Sequence, residues 1–184
     1  MDEAKFITLD NGLTILIYTD RSKSTNHMEL FTFYGGNYSS YIDYNGKKRN
    51  IKEGSAHLLE HYVCENTVSG DLLDNLRKYN VLSCNAGTSA FNTSYFFNTV
   101  CNFYECLDTF LDGIYNVSFT DENLNKTKYA VLNEIRDSQN DEERRIADIR
   151  DRTLFSNCMD NLGSEDSINS MTVNDLKDIY DSIY

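Results

Sequence analysis

Proline is absent from these 184 residues. Ordinary usage is about 5%, so its absence points to a biased genome or to a chain that is part of something longer. Cations are scarce: 17 Lys and Arg face 29 Asp and Glu, a net charge of -12. That balance excludes a nucleic-acid binder and an anionic-membrane binder, which both need clustered positive charge. No apolar run approaches the roughly 18 residues a membrane span needs. Residues Met1 to Asp10 lack the basic-then-apolar order of a secretory signal. The five cysteines (64, 84, 101, 106 and 158) are odd in number and form no C-x-x-C pair. A disulfide framework is therefore a poor reading, and reduced thiols in a cytoplasmic setting a better one. Internal repeats, low-complexity stretches and long linkers are also missing.

What is present is ordinary globular composition, 40% apolar and 25% charged. At this length it suits one domain with a real core rather than two. Lys5–Leu9 and Thr14–Tyr18 flank Asp10-Asn11-Gly12, a strong hairpin signal. Met28–Tyr34 reads as a third strand. Asn37–Glu53 reads as a polar loop, with Lys47-Lys48-Arg49 as its solvated tip. Ser55–Asn66 and Asp71–Tyr79 read as helices, and Val81–Ala86 and Ser94–Val100 as strands about Gly87. Phe103, Leu107, Phe110, Leu111 and Ile114 recur at helical spacing, as core packing does. Thr120 caps a long helix running through Glu134. Gly163-Ser164 break the pattern before a last helix, Val173–Tyr184. The order favours α+β, with helices packed on one face of a largely antiparallel sheet.

The chemistry concentrates in Gly54-Ser-Ala-His57-Leu-Leu-Glu60-His61, whose core is H-x-x-E-H. On a helix, His57 and His61 lie at i and i+4, so both imidazoles leave one face. Two neutral imidazoles so placed are half of a Zn²⁺ site. Glu60, three residues after His57, shares that face without having to be a ligand. Such a carboxylate can take a proton from a water polarised by a metal and pass it to a leaving amine. This is H-E-x-x-H read backwards, the inverzincin arrangement. By chance it arises in roughly one chain in a hundred of this composition. The plain alternative is a helix with two surface histidines and a salt-bridging Glu.

A third ligand must come from elsewhere. Val131 and Ile135 lie four apart on the apolar face of the long helix, and Glu134 borders that face. A carboxylate there needs a partner, either a metal or an Arg or Lys. Cys64, seven residues after His57, is a rival thiolate ligand; a buried apolar Cys is the simpler reading.

Several segments together carry a resemblance: Leu9–Leu16 (L-D-N-G-L-T-I-L), G-S-A-H-L-L-E-H, the Asn85-Ala86 strand with Thr88, Thr93 and Tyr95, Asn133-Glu134-Ile135, and Leu162–Thr172. They resemble the pitrilysin/insulinase family of zinc metallopeptidases, in detail its bacterial half-length members. The resemblance implies that residues 1–184 form a single N-terminal domain, truncated at its C-terminal end, the first α/β domain of a clam shell. It implies one Zn²⁺ held by His57, His61 and Glu134, which follows His61 by 73 residues, with Glu60 as general base. It also implies a zinc-dependent endopeptidase acting on extended peptides, with Asn85 and Ala86 on a substrate-binding edge strand. Further domains or a second subunit close the site. The alternative within the family is a weak or inactive member serving as a peptide-binding or scaffold subunit. One departure bears on this choice: Thr127 stands where the family carries a second bracing Glu.

Overall fold

The computed structural model describes residues 3–154 and 160–184; Cys158 lies outside them. Gly12, at φ 89°, reverses the chain between β1 (Glu3–Thr8) and β2 (Thr14–Thr19). A side chain there would be penalised. The two strands pair antiparallel, Glu3 opposite Thr19 through Thr8 opposite Thr14. β3 (Asn26–Thr32) starts two residues before the expected apolar run, because Asn26 and His27 pair opposite Thr99 and Asn98.

The Asn37–Glu53 stretch, expected as a loop, contains a small hairpin, β4 (Ser40–Ile42) with β5 (Lys48–Asn50). The buried Asp43 carboxylate organises it, accepting from the Asn45 and Lys47 amides and from Arg49 Nε. Lys48 and Arg49 are thus strand residues, and Arg49 is an ion-pair partner rather than a free tip. β6 (Ser83–Thr88) and β7 (Thr93–Thr99) turn at Ser89–Asn92 rather than at Gly87, which stays inside β6. Ser89 Oγ accepts from the amides of Phe91 and Asn92 and fixes that turn.

The helices are α1 (Ser55–Glu65), α2 (Leu72–Arg77), α3 (Phe103–Tyr115), α4 (Asp121–Gln139), α5 (Glu142–Leu154), α6 (Glu165–Ser170) and α7 (Val173–Ile183). Side-chain caps start four of them: Asp71, Thr120, Ser164 and Thr172 each accept an amide three residues on. α5 and α6 were not expected. α5 is mostly charged and leaves Ile146, Ile149 and Leu154 exposed, and α6 is little more than one capped turn.

The fold is α+β, as anticipated, though the described strands form three antiparallel sheets rather than one. In the central sheet, ordered β3-β7-β6, Leu30, Tyr95 and Phe97 face inward. They share a core with Leu58, Leu59, Val63, Leu76, Phe110 and Ile114 from the helices. Phe31 is exposed on the outer face, and Phe33 just beyond β3 is exposed too. The β1–β2 hairpin stands apart because no other described strand pairs with it.

Candidate metal centre

The site begins at the start of α1. Gly54 caps this helix at φ 81° and packs against Gly163, itself at φ 74°. A Cβ on Gly163 would lie 2.6 Å from Glu53 O and 2.8 Å from Gly54 Cα, so only glycine permits the approach. The Asp160 amide also donates to Glu53 Oε1, and Ser167 Oγ donates to Glu53 O. This anchors the first turn of α1 to the segment leading into α6.

Along α1, Ala56, Leu58, Leu59, Tyr62 and Val63 are buried. His57, His61 and Glu65 form a second stripe at four-residue spacing, facing α4. On α4, Thr127, Val131 and Ile135 are buried, while Glu134 projects beside them with 47% of its side chain exposed. His57 Nε2 lies 3.5 Å from Glu134 Oε2, and His61 Nε2 lies 3.5 Å from Glu134 Oε1. The two imidazoles meet edge to face, centroids 4.7 Å apart. At the other end of the stripe Glu65 meets Thr127, two turns before Glu134. The two helices therefore run antiparallel across the site.

One potential ligand atom from each of His57, His61 and Glu134 lies within 4.8 Å of the others. Two donors at about 2.0–2.1 Å from a tetrahedral Zn²⁺ stand roughly 3.3 Å apart. The 3.5 Å separations and the two-nitrogen, one-carboxylate donor set therefore fit a catalytic-type zinc site with one position left open. Sequence left Glu134 two kinds of partner, an Arg or Lys or a metal site; among the described residues its carboxylate oxygens each face an imidazole nitrogen. Cys64 is buried, and burial pushes its thiol well above the usual range. It is not part of the donor group.

Electrostatics separate the two histidines. Burial, then His61 and Arg144, depress His57 to about 4, so its imidazole is neutral at neutral pH. Its buried Nδ1 has no hydrogen-bond partner among the described residues. Burial also depresses His61, but Glu65, Glu134 and Glu60 outweigh it and the pKa rises. Burial raises Glu65, yet His61 and Thr127 hold it below its ordinary value.

Glu60 leans from α1 toward β6 and is mostly buried. Its Oε2 accepts from Thr88 Oγ1 at 2.7 Å. Burial raises its pKa against that bond and the attraction of His61. It is thus a carboxylate beside the donor group and outside it. Asn85 and Ala86 lie on β6, whose only pairing is to β7, leaving the other edge open among the described strands. Thr88 and Glu65 were not singled out as site residues from sequence. Glu65 continues the 57, 61 spacing by one more turn, a signal that was there to be seen; Thr88 carries no comparable signal.

The sequence pattern of the insulinase family, peptidase family M16, matches residues 47–164. The chain belongs to that family. An uncharacterized zinc protease of Bacillus subtilis, YmfH, is 28% identical over 129 residues, 69% of this chain and 29% of that protein. A putative M16-like peptidase from Alicyclobacillus acidocaldarius has the same fold, with a TM-score of 0.87 at 23% identity over the whole chain and 43% of that chain. Pitrilysin gives 0.75 at 19% identity over 97% of this chain and 19% of its own. An inactive M16 domain from Pseudomonas fluorescens gives 0.77 at 13% identity, over 97% of this chain and 43% of its own. The chain thus spans less than a third of the curated relative and less than half of these solved chains. An inactive M16 domain carries this fold too, so chemistry must be argued from side chains.

Proposed function

We propose that this chain is a zinc-dependent endopeptidase domain hydrolysing peptide bonds in extended peptides. One observation carries the reading: two imidazole nitrogens and a carboxylate from separate helices converge within 4.8 Å. His57, His61 and Glu134 hold a single Zn²⁺. When bound, the ion supplies Lewis acidity toward a peptide carbonyl and lowers the pKa of water.

Glu60 is the general base. Its carboxylate, kept off the donor group by Thr88, takes a proton from the attacking water and delivers it to the departing amine nitrogen. Burial raises its pKa, which strengthens it as a base. The open edge of β6 receives the peptide as an added strand. The in-register bond from the Ser89 amide to Asn92 O sets the alternation along the hairpin. Counting from it, Cys84, Ala86 and Thr88 turn their backbone groups to the open edge. Ala86 thus offers main-chain bonds, and Asn85 offers an exposed side chain on the outer face. Recognition through backbone leaves sequence specificity loose.

Residues 1–184 are one N-terminal domain of this peptidase, completed by further domains of a longer chain or by a second subunit. Metal analysis tests the site: His57→Ala and Glu134→Gln should each strip the zinc. Unchanged, sub-stoichiometric zinc in all three proteins would remove it. Glu60→Gln should keep the ion and abolish cleavage by the full-length enzyme. Wild-type cleavage by that variant rules Glu60 out as base, and zinc binding with no turnover in the full-length wild type makes this a peptide-binding domain instead.

A further inference from the structure

The histidine stripe of α1 does not end at His61. One turn on, Glu65 Oε1 lies 3.3 Å from His61 Nδ1. Its other oxygen, Oε2, accepts from Thr127 Oγ1 at 2.8 Å. Thr127 is fully buried, and its hydroxyl in turn accepts from Asn66 Nδ2 at 3.0 Å. Asn66 Nδ2 also donates to Tyr62 O, which ties the amide to the last turn of α1. Asn66 can only donate to Thr127 through that nitrogen, so the single hydroxyl proton of Thr127 is committed to Glu65. The direction of every bond in the chain follows.

An ionised carboxylate only accepts, so the bond to His61 must come from Nδ1–H. In the neutral imidazole the remaining ring nitrogen, Nε2, then carries the lone pair, and it is the atom 3.5 Å from Glu134. A 3.3 Å separation is long for N–H···O, as catalytic bonds are before a site is filled. A casual surface pair four apart on a helix would not have a buried hydroxyl aimed at its second oxygen. His57, on the same stripe, has nothing comparable among the described residues: its Nδ1 is unpartnered there.

We infer that Glu65 is a positioning residue for the metal centre, fixing the tautomer and ring orientation of His61, with Thr127 and Asn66 fixing Glu65. The inference rests on the zinc reading proposed above. Carboxylates in this role are worth about 10- to 100-fold in metal affinity. Here the carboxylate comes from α1, the helix that bears the histidines, and Thr127 of α4 supports it.

The test is zinc affinity of the full chain, by competition with a chromophoric chelator, together with nitrogen NMR of the zinc-loaded histidines. Glu65→Ala should weaken zinc binding roughly 10- to 100-fold and move the His61 nitrogen signals while leaving those of His57. Glu65→Gln, which keeps an acceptor, should lose less. Thr127→Val should cost roughly 3- to 10-fold, the worth of about one hydrogen bond, and Thr127→Ser should restore wild-type affinity. If Glu65→Ala does not fold, the Gln and Val variants decide by the same readouts. Wild-type affinity and unmoved His61 signals in the Glu65 variants overturn this role while leaving the zinc reading intact, provided His57→Ala still loses the ion. Equal shifts at both histidines also overturn it, since they mean general loosening. A wild-type chain that binds no zinc overturns both.

Discussion

Two carboxylates, Glu60 and Glu134, sit within one site and differ by environment. Glu134 is half exposed and faces two imidazoles, while Glu60 is buried and faces a hydroxyl. Glu60→Gln should therefore reduce kcat by about 10²- to 10⁴-fold with zinc content unchanged, measured by metal analysis beside peptide turnover. The Thr88 bond holds the Glu60 pKa down against burial. Thr88→Val removes it, so the pKa rises further and the Glu60 carboxyl, the proposed base, stays protonated to higher pH. The acidic limb of the kcat/KM profile should shift upward; a profile that shifts down or stays put disproves the contact. At this scale the sequence was informative where spacing along one helix suffices. His57, His61 and Glu60 come from a single motif, but Thr88 comes from a strand whose approach to α1 no local pattern encodes. Glu134 lay open between a metal and a cation partner until the family resemblance, and then the antiparallel packing of α1 and α4, brought it to the imidazoles.

The elements that hold the site can be perturbed singly. Gly163→Ala places a Cβ against Glu53 and Gly54 at positive φ. It should destabilise the fold by about 1–3 kcal/mol in urea titration, and weaken zinc binding because α1 starts there. Thr120→Ala removes the acceptor for the Asn123 amide and should cost α4 about 1 kcal/mol. In α7, Asp175 accepts from Thr172 and pairs with Lys52. Burial raises its pKa, but those bonds outweigh it and the folded value is lowered. Its stabilisation is present above the unfolded pKa and is lost as pH falls through the folded one. The urea midpoint of the wild type should thus drop more steeply below pH 4 than that of Asp175→Asn. The amphipathic helices α1, α3, α4 and α7 were legible from periodicity and caps. The α5 helix was not, because its sequence is mostly charged. The β4–β5 hairpin was hidden too, since a buried aspartate rather than an apolar run organises it.

Taken whole, the molecule leaves apolar surface uncovered. Phe6, Leu16 and Tyr18 on the β1–β2 hairpin and Phe31 and Phe33 at β3 are all exposed. An isolated two-stranded hairpin is marginal in water, and contiguous exposed apolar side chains promote association. The chain should therefore self-associate with rising concentration, and Phe6→Ser with Leu16→Ser should reduce that in light scattering while leaving the melting temperature nearly unchanged. No described helix is long and apolar enough to cross a membrane. The half-exposed Glu134 has one more consequence. On the proposed zinc reading, a cation held there would sit beside bulk solvent on one flank, so an external chelator could attack it without first unfolding the helices. Stripping and reloading should then proceed in seconds to minutes under native conditions, and the kinetics should follow chelator concentration rather than the rate of global opening.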